Sequence, residues 1–317
     1  MVFCSVFSVV VVLAVLAFGE ADAAMRGLPW ASGNQNANKI NKGMVKWYHH
    51  WQMGRVGALN NLEYVPTYWG PSKAGEWGRR KNEINHDWPQ HILAFNEPDI
   101  EGQANMDPDW AVEEFMKELQ TYADRGVRVS SPQMVYNLDW LQKFLDKCNQ
   151  RGCKVSFIAL HWYGSWKGIG DLQKWITTVH NRFHLPIWVT EFGVTSKSNP
   201  SGQQVHQFMS QALGWLDSQP YVERVAWYGG YPMNNPPDGF ATPLNALFKG
   251  NGALRRIAYS YMYGGRKHRR MFMGTHGTKA LVSRAEEDDA EENPHYDNEP
   301  VHCDEACEQR RKYFDDN

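Results

Sequence analysis

The sequence predicts an α/β protein folded as a single (β/α)8, or TIM, barrel, followed by a charged, disordered C-terminal tail. Three observations predict it. Eight apolar, β-branched or aromatic runs recur along residues 26–230. Helical stripes separate the later runs. The stretch holding both, about 240 residues, fits a closed eight-stranded barrel, typically about 250 residues long. An open doubly wound sheet is the weaker competitor, because no G-x-G-x-x-G follows the first run. No G-x-x-x-x-G-K-[ST] phosphate loop is present either.

The runs come in this order: Arg26–Trp30 (RGLPW), Met44–Trp51 (MVKWYHHW), Glu63–Trp69 (EYVPTYW) and His91–Glu97 (HILAFNE). Then follow Val127–Gln133 (VRVSSPQ), Lys154–Tyr163 (KVSFIALHWY), Pro186–Phe192 (PIWVTEF) and Arg224–Gly230 (RVAWYGG). Several are continuously apolar, as parallel strands buried on both faces should be. Among the helices, Asp107-Pro108 supplies an N-cap and a first-turn proline. Apolar residues then recur at Val112, Phe115, Met116, Leu119 and Tyr122, and the stripe ends before Gly126. Leu138–Cys148, Asp171–Phe183 and Gln203–Ser218 repeat the pattern. Leu244–Phe248 with Ile257–Tyr263 closes the domain.

The two ends read differently. Val2–Phe18 is almost wholly apolar and is followed by Ala21-Asp22-Ala23-Ala24, small residues in an A-x-A arrangement. This predicts a signal peptide over residues 1–23, cut after Ala23 or Ala24, and a secreted, extracellular product. No Lys or Arg precedes the run. An uncleaved anchor is the competing reading, disfavoured because the run is short for a full span. The catalytic domain is expected over residues 24–265 and the tail over 266–317. That tail opens on the basic cluster Arg266-Lys267-His268-Arg269-Arg270, for which processing in the secretory route is the sharper hypothesis beside a solvated extension. Residues 285–317 carry 13 acidic and 3 basic side chains, too polar to fold alone.

Composition narrows the function. The formal net charge of -2 argues against a nucleic-acid binder. The 14 Trp suit flat apolar faces offered to sugar rings, although a Trp-rich core explains the count as well. Once Cys4 leaves with the leader, Cys148, Cys153, Cys303 and Cys307 remain. Local pairing of Cys148 with Cys153, and of Cys303 with Cys307, is the most plausible of the three connectivities. No His accompanies either pair at zinc-ligand spacing. His49-His50 is a poor chelate, because neighbours on a strand face opposite ways. No metal, no cofactor and no membrane contact after leader cleavage are expected, and a monomer is expected.

Catalytic groups of such barrels stand at the C-terminal ends of strands. The fourth run ends Asn96-Glu97-Pro98, the sixth His161-Trp162-Tyr163, the seventh Thr190-Glu191-Phe192 and the eighth Trp227-Tyr228. A carboxylate ending an apolar strand is costly to desolvate unless it is paired or used. Two of them facing one cavity suit glycoside hydrolysis. One protonates the leaving oxygen; the other attacks the anomeric carbon, and water completes the reaction. Spacing does not say which Glu does which.

The Asn96-Glu97-Pro98 turn and Glu191 resemble the clan of retaining (β/α)8 glycosidases. RGLPW, KWYHHW, EYVPTYWG, FNEPD, SSPQ, ALHWYG, WVTEFG and WYGG, in that order over residues 26–263, resemble glycoside hydrolase family 128, the fungal alkali-sensitive-linkage-type hydrolases. The resemblance implies a retaining endo-β-1,3-glucanase that needs no cofactor and takes a β-glucan polysaccharide or oligosaccharide. It implies Glu97 as acid/base and Glu191 as nucleophile. Asn96 would bind the 2-hydroxyl, Tyr163 would orient the nucleophile, and His161 would line the reacting subsite. Trp227 would form the floor under a glucose ring. Trp69, like Trp227, ends a run and is expected on substrate, with Tyr228 beside it. About half of Trp47, Trp51, Trp69, Trp162, Trp166 and Trp227 are expected to be packing. Asp99 and Glu101 read as a solvated loop. The alternatives are a non-catalytic carbohydrate-binding or matrix protein on this scaffold, and a hydrolase of another β-linked polysaccharide.

Overall fold

The computed structural model describes residues 23–264. The leader, the Arg266–Arg270 cluster, the acidic tail and the Cys303/Cys307 pair expected from sequence lie outside the described residues, apart from Ala23 at the leader's end. Eight parallel strands form the sheet: β1 (Met25–Pro29), β2 (Val45–His49), β3 (Glu63–Tyr64), β4 (His91–Ile92), β5 (Arg128–Met134), β6 (Phe157–Gly164), β7 (Ile187–Val194) and β8 (Val222–Trp227). Their order is β3-β2-β1-β8-β7-β6-β5-β4. The Thr67–Leu93 bridge closes the ring. There Leu93 N–H donates to the Pro66 carbonyl and Tyr68 N–H to the Leu93 carbonyl, both at 2.9 Å.

Local chemistry explains why β3 and β4 are shorter than the runs that contain them. Pro66 has no N–H to give to a ladder. Beside β4, Ala94 N–H donates to Ser130 Oγ (2.9 Å) and Gln133 Nε2 donates to the Ala94 carbonyl (2.9 Å), so side chains replace regular strand pairing. The SSPQ motif is the source. It holds Pro132 inside β5, and the register with β6 shifts between Ser130 and Gln133. Ser131 Oγ accepts from Ala159 N–H across that shift at 3.1 Å.

The helices are α1 (Ala37–Ile40), α2 (Ala74–Ile84), α3 (Pro108–Glu118), α4 (Gln120–Asp124), α5 (Leu138–Arg151), α6 (Ile169–Phe183), α7 (Gly202–Leu216) and α8 (Arg256–Tyr263). Asp107 caps α3 by accepting from the Asp109 and Trp110 amides. The single stripe expected there divides at Leu119 into α3 and α4. Ser201 and Gln204 form a capping box on α7. Leu244–Phe248 is not helical beyond the single turn Pro243–Asn245. Cys148 and Cys153 are joined by a disulfide at the end of α5, as their spacing suggested.

Strand parity divides the core in two. Trp47, Val65, Leu93, Phe157, Ala159, Trp188 and Ala226 fill the barrel interior. Phe157 stacks on Trp188 with centroids 4.0 Å apart, and Trp47 lies 5.4 Å from Trp188. Gly27 on β1 makes the room, for a Cβ there would stand 2.2 Å from the Trp47 ring. Below this plug, Glu63 accepts from Arg224 Nη1 at 2.7 Å and pairs with His91 Nδ1 at 2.5 Å. The Arg224 guanidinium lies over Trp188. Neighbouring outward residues such as Ile158, Leu160, Val189 and Val225 pack into the main core with the surrounding helices.

Candidate active site

The same parity positions the site. On β6, Phe157 and Ala159 face the barrel interior, so His161 and Tyr163 continue that column while Trp162 turns outward onto Phe208 of α7. The pairing of β6 with β7 shifts register between Leu160 and His161, and that of β7 with β8 between Val189 and Phe192. Such irregularities re-aim side chains, and here they flank His161 and Glu191.

Glu97 follows Asn96 at the mouth. Its φ of 47° is left-handed, an unusual conformation for a residue with a side chain. Its N–H is held by the Gln133 carbonyl at 3.0 Å. Glu97 and Glu191, 0% and 2% exposed, approach His161 from two sides. His161 Nδ1 lies 2.7 Å from Glu97 Oε1, and Nε2 lies 3.5 Å from Glu191 Oε1 and 3.3 Å from Gln133 Oε1. One ligating atom from each of Glu97, His161 and Glu191 falls within 4.8 Å of the other two. Glu191 takes two further donors: Trp51 Nε1 on Oε1 at 2.8 Å and Tyr163 OH on Oε2 at 2.5 Å. N–H and O–H hydrogens aimed at both oxygens solvate an anion; a cation would meet them head-on.

A cavity of about 480 Å³ opens above Glu191. Ala31, Trp51, Trp69, Asn96, Tyr228 and Asp238 are among its lining residues. Asn96 Nδ2 donates to Gln103 Oε1 at 3.0 Å, while its buried Oδ1 has no hydrogen-bond partner among the described residues. Trp69 is part-buried there, with Lys73 Nζ 5.8 Å from its ring centroid. The sequence-derived set Asn96, Glu97, His161, Tyr163, Glu191, Trp69 and Tyr228 therefore meets at one mouth.

Trp227 does not join it. Ala226 faces the barrel interior, so Trp227 faces out. It is 0% exposed, lies edge-on to Phe192, and donates Nε1–H to the Asn245 carbonyl at 2.9 Å. It has no face left for a sugar, and the expected floor is corrected to packing. Asp99 is corrected too. Its Oδ2 accepts the Asn137 and Tyr136 amides at 3.0 and 3.3 Å, and burial pushes its carboxyl up to about 6. It ties the loop after β4 to the loop after β5. Glu101 is exposed, as expected. The two adjacent histidines diverge: His49 Nε2 donates to the Thr190 carbonyl at 3.0 Å and His50 Nδ1 lies 3.1 Å from the Gly54 carbonyl. Burial pushes His49 down to about 3, so it is neutral.

Sequence reasoning missed Trp51, Gln103, Gln133 and Asp238 as site residues. Trp51 and Gln133 lay inside quoted motifs, so a signal existed. Asp238 and Gln103 lie in loops whose course no strand pattern fixes.

A family model described as "Glycosyl hydrolase catalytic core" matches residues 27–261. Alkali-sensitive linkage protein 1 of Schizosaccharomyces pombe is 32% identical over 248 residues, covering 75% of this chain. The chain spans only 44% of that relative's length. A GH128 (subgroup III) curdlan-specific exo-β-1,3-glucanase from Blastomyces gilchristii, solved with glucose, is 31% identical with a TM-score of 0.62, covering 75% of this chain and 97% of that one. A GH128 (subgroup I) endo-β-1,3-glucanase from Amycolatopsis mediterranei, solved with laminaripentaose, is 29% identical with a TM-score of 0.61, covering 76% of this chain and 100% of that one. On these matches the chain belongs to the glycosyl hydrolase catalytic core family and, within the similarity just described, to glycoside hydrolase family 128.

Proposed function

We propose that this protein is a secreted β-1,3-glucanase that cuts internal linkages with retention, using Glu191 as nucleophile and Glu97 as acid/base. The observation that carries the reading is the meeting of two buried carboxylates, distant in sequence, at His161, with an oxygen of one inside 4.8 Å of an oxygen of the other. Retaining enzymes hold their carboxyl pair at about 5–5.5 Å, against about 6.5–9.5 Å where a water must fit between. In this reading Glu97 gives its proton to the glycosidic oxygen as Glu191 attacks the anomeric carbon. The aglycone leaves; Glu97, now a carboxylate, draws a proton from water, and that water displaces Glu191 from the sugar. Trp51 and Tyr163 hold Glu191 ionised and in line. His161 fixes Glu97 through Nδ1, and Asn96, on the cavity lining, hydrogen-bonds the 2-hydroxyl of the reacting sugar. β-1,3-Glucan as substrate is supported by the activities of the two similar enzymes above.

The experiment is release of reducing ends from laminarin, cellulose and xylan by the secreted protein and by Glu191→Gln. The reading expects laminarin to be cut into mixed-length oligomers, and expects the variant to fold and be inactive. Binding without new reducing ends would instead identify a non-catalytic carbohydrate binder, and a strict single-sugar product would identify an exo-enzyme.

A further inference from the structure

Asp238, on the loop after β8, is a third carboxylate at the cavity, and the mechanism above leaves it without a task. Its two oxygens are both engaged. Oδ1 accepts the Phe240 and Ala241 amides at 2.9 and 3.1 Å, and Oδ2 accepts the Tyr228 hydroxyl at 2.7 Å. The Tyr228 ring meets Trp51 edge-on at 6.2 Å and Tyr163 edge-on at 5.4 Å. Those two rings carry the donors that hold Glu191.

We propose that Asp238 is a positioning residue for Glu191, acting through the Tyr228 ring on the donors Trp51 and Tyr163. A buried phenol needs an acceptor. Asp238 supplies one, and so fixes the ring's rotation. Burial, then the Asp238 charge, raise the Tyr228 hydroxyl well above its ordinary range, so it stays protonated and remains a donor. With the acceptor gone, the ring's hydroxyl end is no longer anchored, and Trp51, which also meets His49 edge-on at 5.5 Å, loses the fixed position of its second ring neighbour. Trp51 sits at φ 44° just past β2, a conformation that depends on surrounding packing. One carboxylate thereby links the loop after β8 to a donor after β2 and a donor on β6.

The proposal rests on Glu191 being the nucleophile, so the test separates the two. The full chain is assayed on an aryl β-laminarioligoside as wild type, Asp238→Ala, Tyr228→Phe and the double variant. The expectation is a kcat about 10- to 100-fold lower in each single variant, with KM little changed. The acid limb of the pH profile should move to higher pH, because loosened donors favour the neutral carboxyl. The double variant should be no worse than either single one, since both break the same link. A rise in KM with kcat unchanged, fully additive losses, or a wild-type profile would overturn the proposal. Should Asp238→Ala fail to fold, Tyr228→Phe deletes the same bond while keeping the ring, and its profile decides. Separately, Glu191→Ala with azide should yield an α-glycosyl azide. That product supports the nucleophile reading whatever Asp238 does; its absence overturns that reading and this proposal with it.

Discussion

The indole N–H of Trp51 meets Oε1 of Glu191 at 2.8 Å, joining the end of the second strand run to the seventh strand. A hydrogen bond to an ionised group contributes about 1.5–3 kcal/mol. Trp51→Phe keeps a ring and deletes the donor. It should lower kcat on laminarin about tenfold to a hundredfold and move the acid limb of the pH profile upward. Steady-state kinetics from pH 4 to 8 check both.

Stability should depend on pH through two groups of opposite sign. His49 is neutral in the fold, pushed down to about 3 by burial, against an ordinary value of 6.5. Its contribution is full above 6.5 and is lost as pH falls toward 3, by up to about 1.4 kcal/mol per pH unit. Asp99, raised to about 6, works the other way: its contribution is full below the ordinary carboxyl range and is lost as pH rises through about 6. Urea unfolding across this range should show net acid lability in the wild type. His49→Gln should flatten the acid side. Asp99→Asn keeps an acceptor for the two amides and should gain stability relative to wild type as pH rises from the ordinary carboxyl range to about 6, and hold that gain above it.

The narrowest seam of the barrel lies between the two-residue strands β3 and β4, and Glu63 and His91 pair across it. Glu63 is also the partner of the buried Arg224 guanidinium. Glu63→Ala strands that charge and should cost about 3–5 kcal/mol. Arg128→Gln breaks a half-exposed pair with Glu223 and should cost no more than about 1 kcal/mol. Equal losses in urea denaturation would contradict this division.

The barrel was legible because its signals are local. Apolar runs, the Asp107-Pro108 cap and the helical stripe of Gln203–Ser218 each act within a few residues. Glu97 and Glu191 were legible because an acid ending an apolar strand is conspicuous. Trp227 was misplaced because ending a run does not say which face a side chain takes. Counting parity from the small interior residue Ala226 turns it outward. Trp47 was ambiguous for the same reason; only the absence of a Cβ at Gly27 makes room for its ring inside the barrel. Asp238 was invisible, because its role depends on a loop folding back onto Tyr228, and nothing in the residues between them dictates that path.

In the proposed mechanism Glu191 becomes covalently linked to sugar while Glu97 serves the leaving group. Incubation with a 2-deoxy-2-fluoro-β-laminaribiosyl fluoride, followed by peptide mass mapping, tests it most directly. One added disaccharide is expected, on the peptide containing Glu191 and on that side chain. A label on another residue, or turnover of natural glucan to products of inverted configuration, would contradict it.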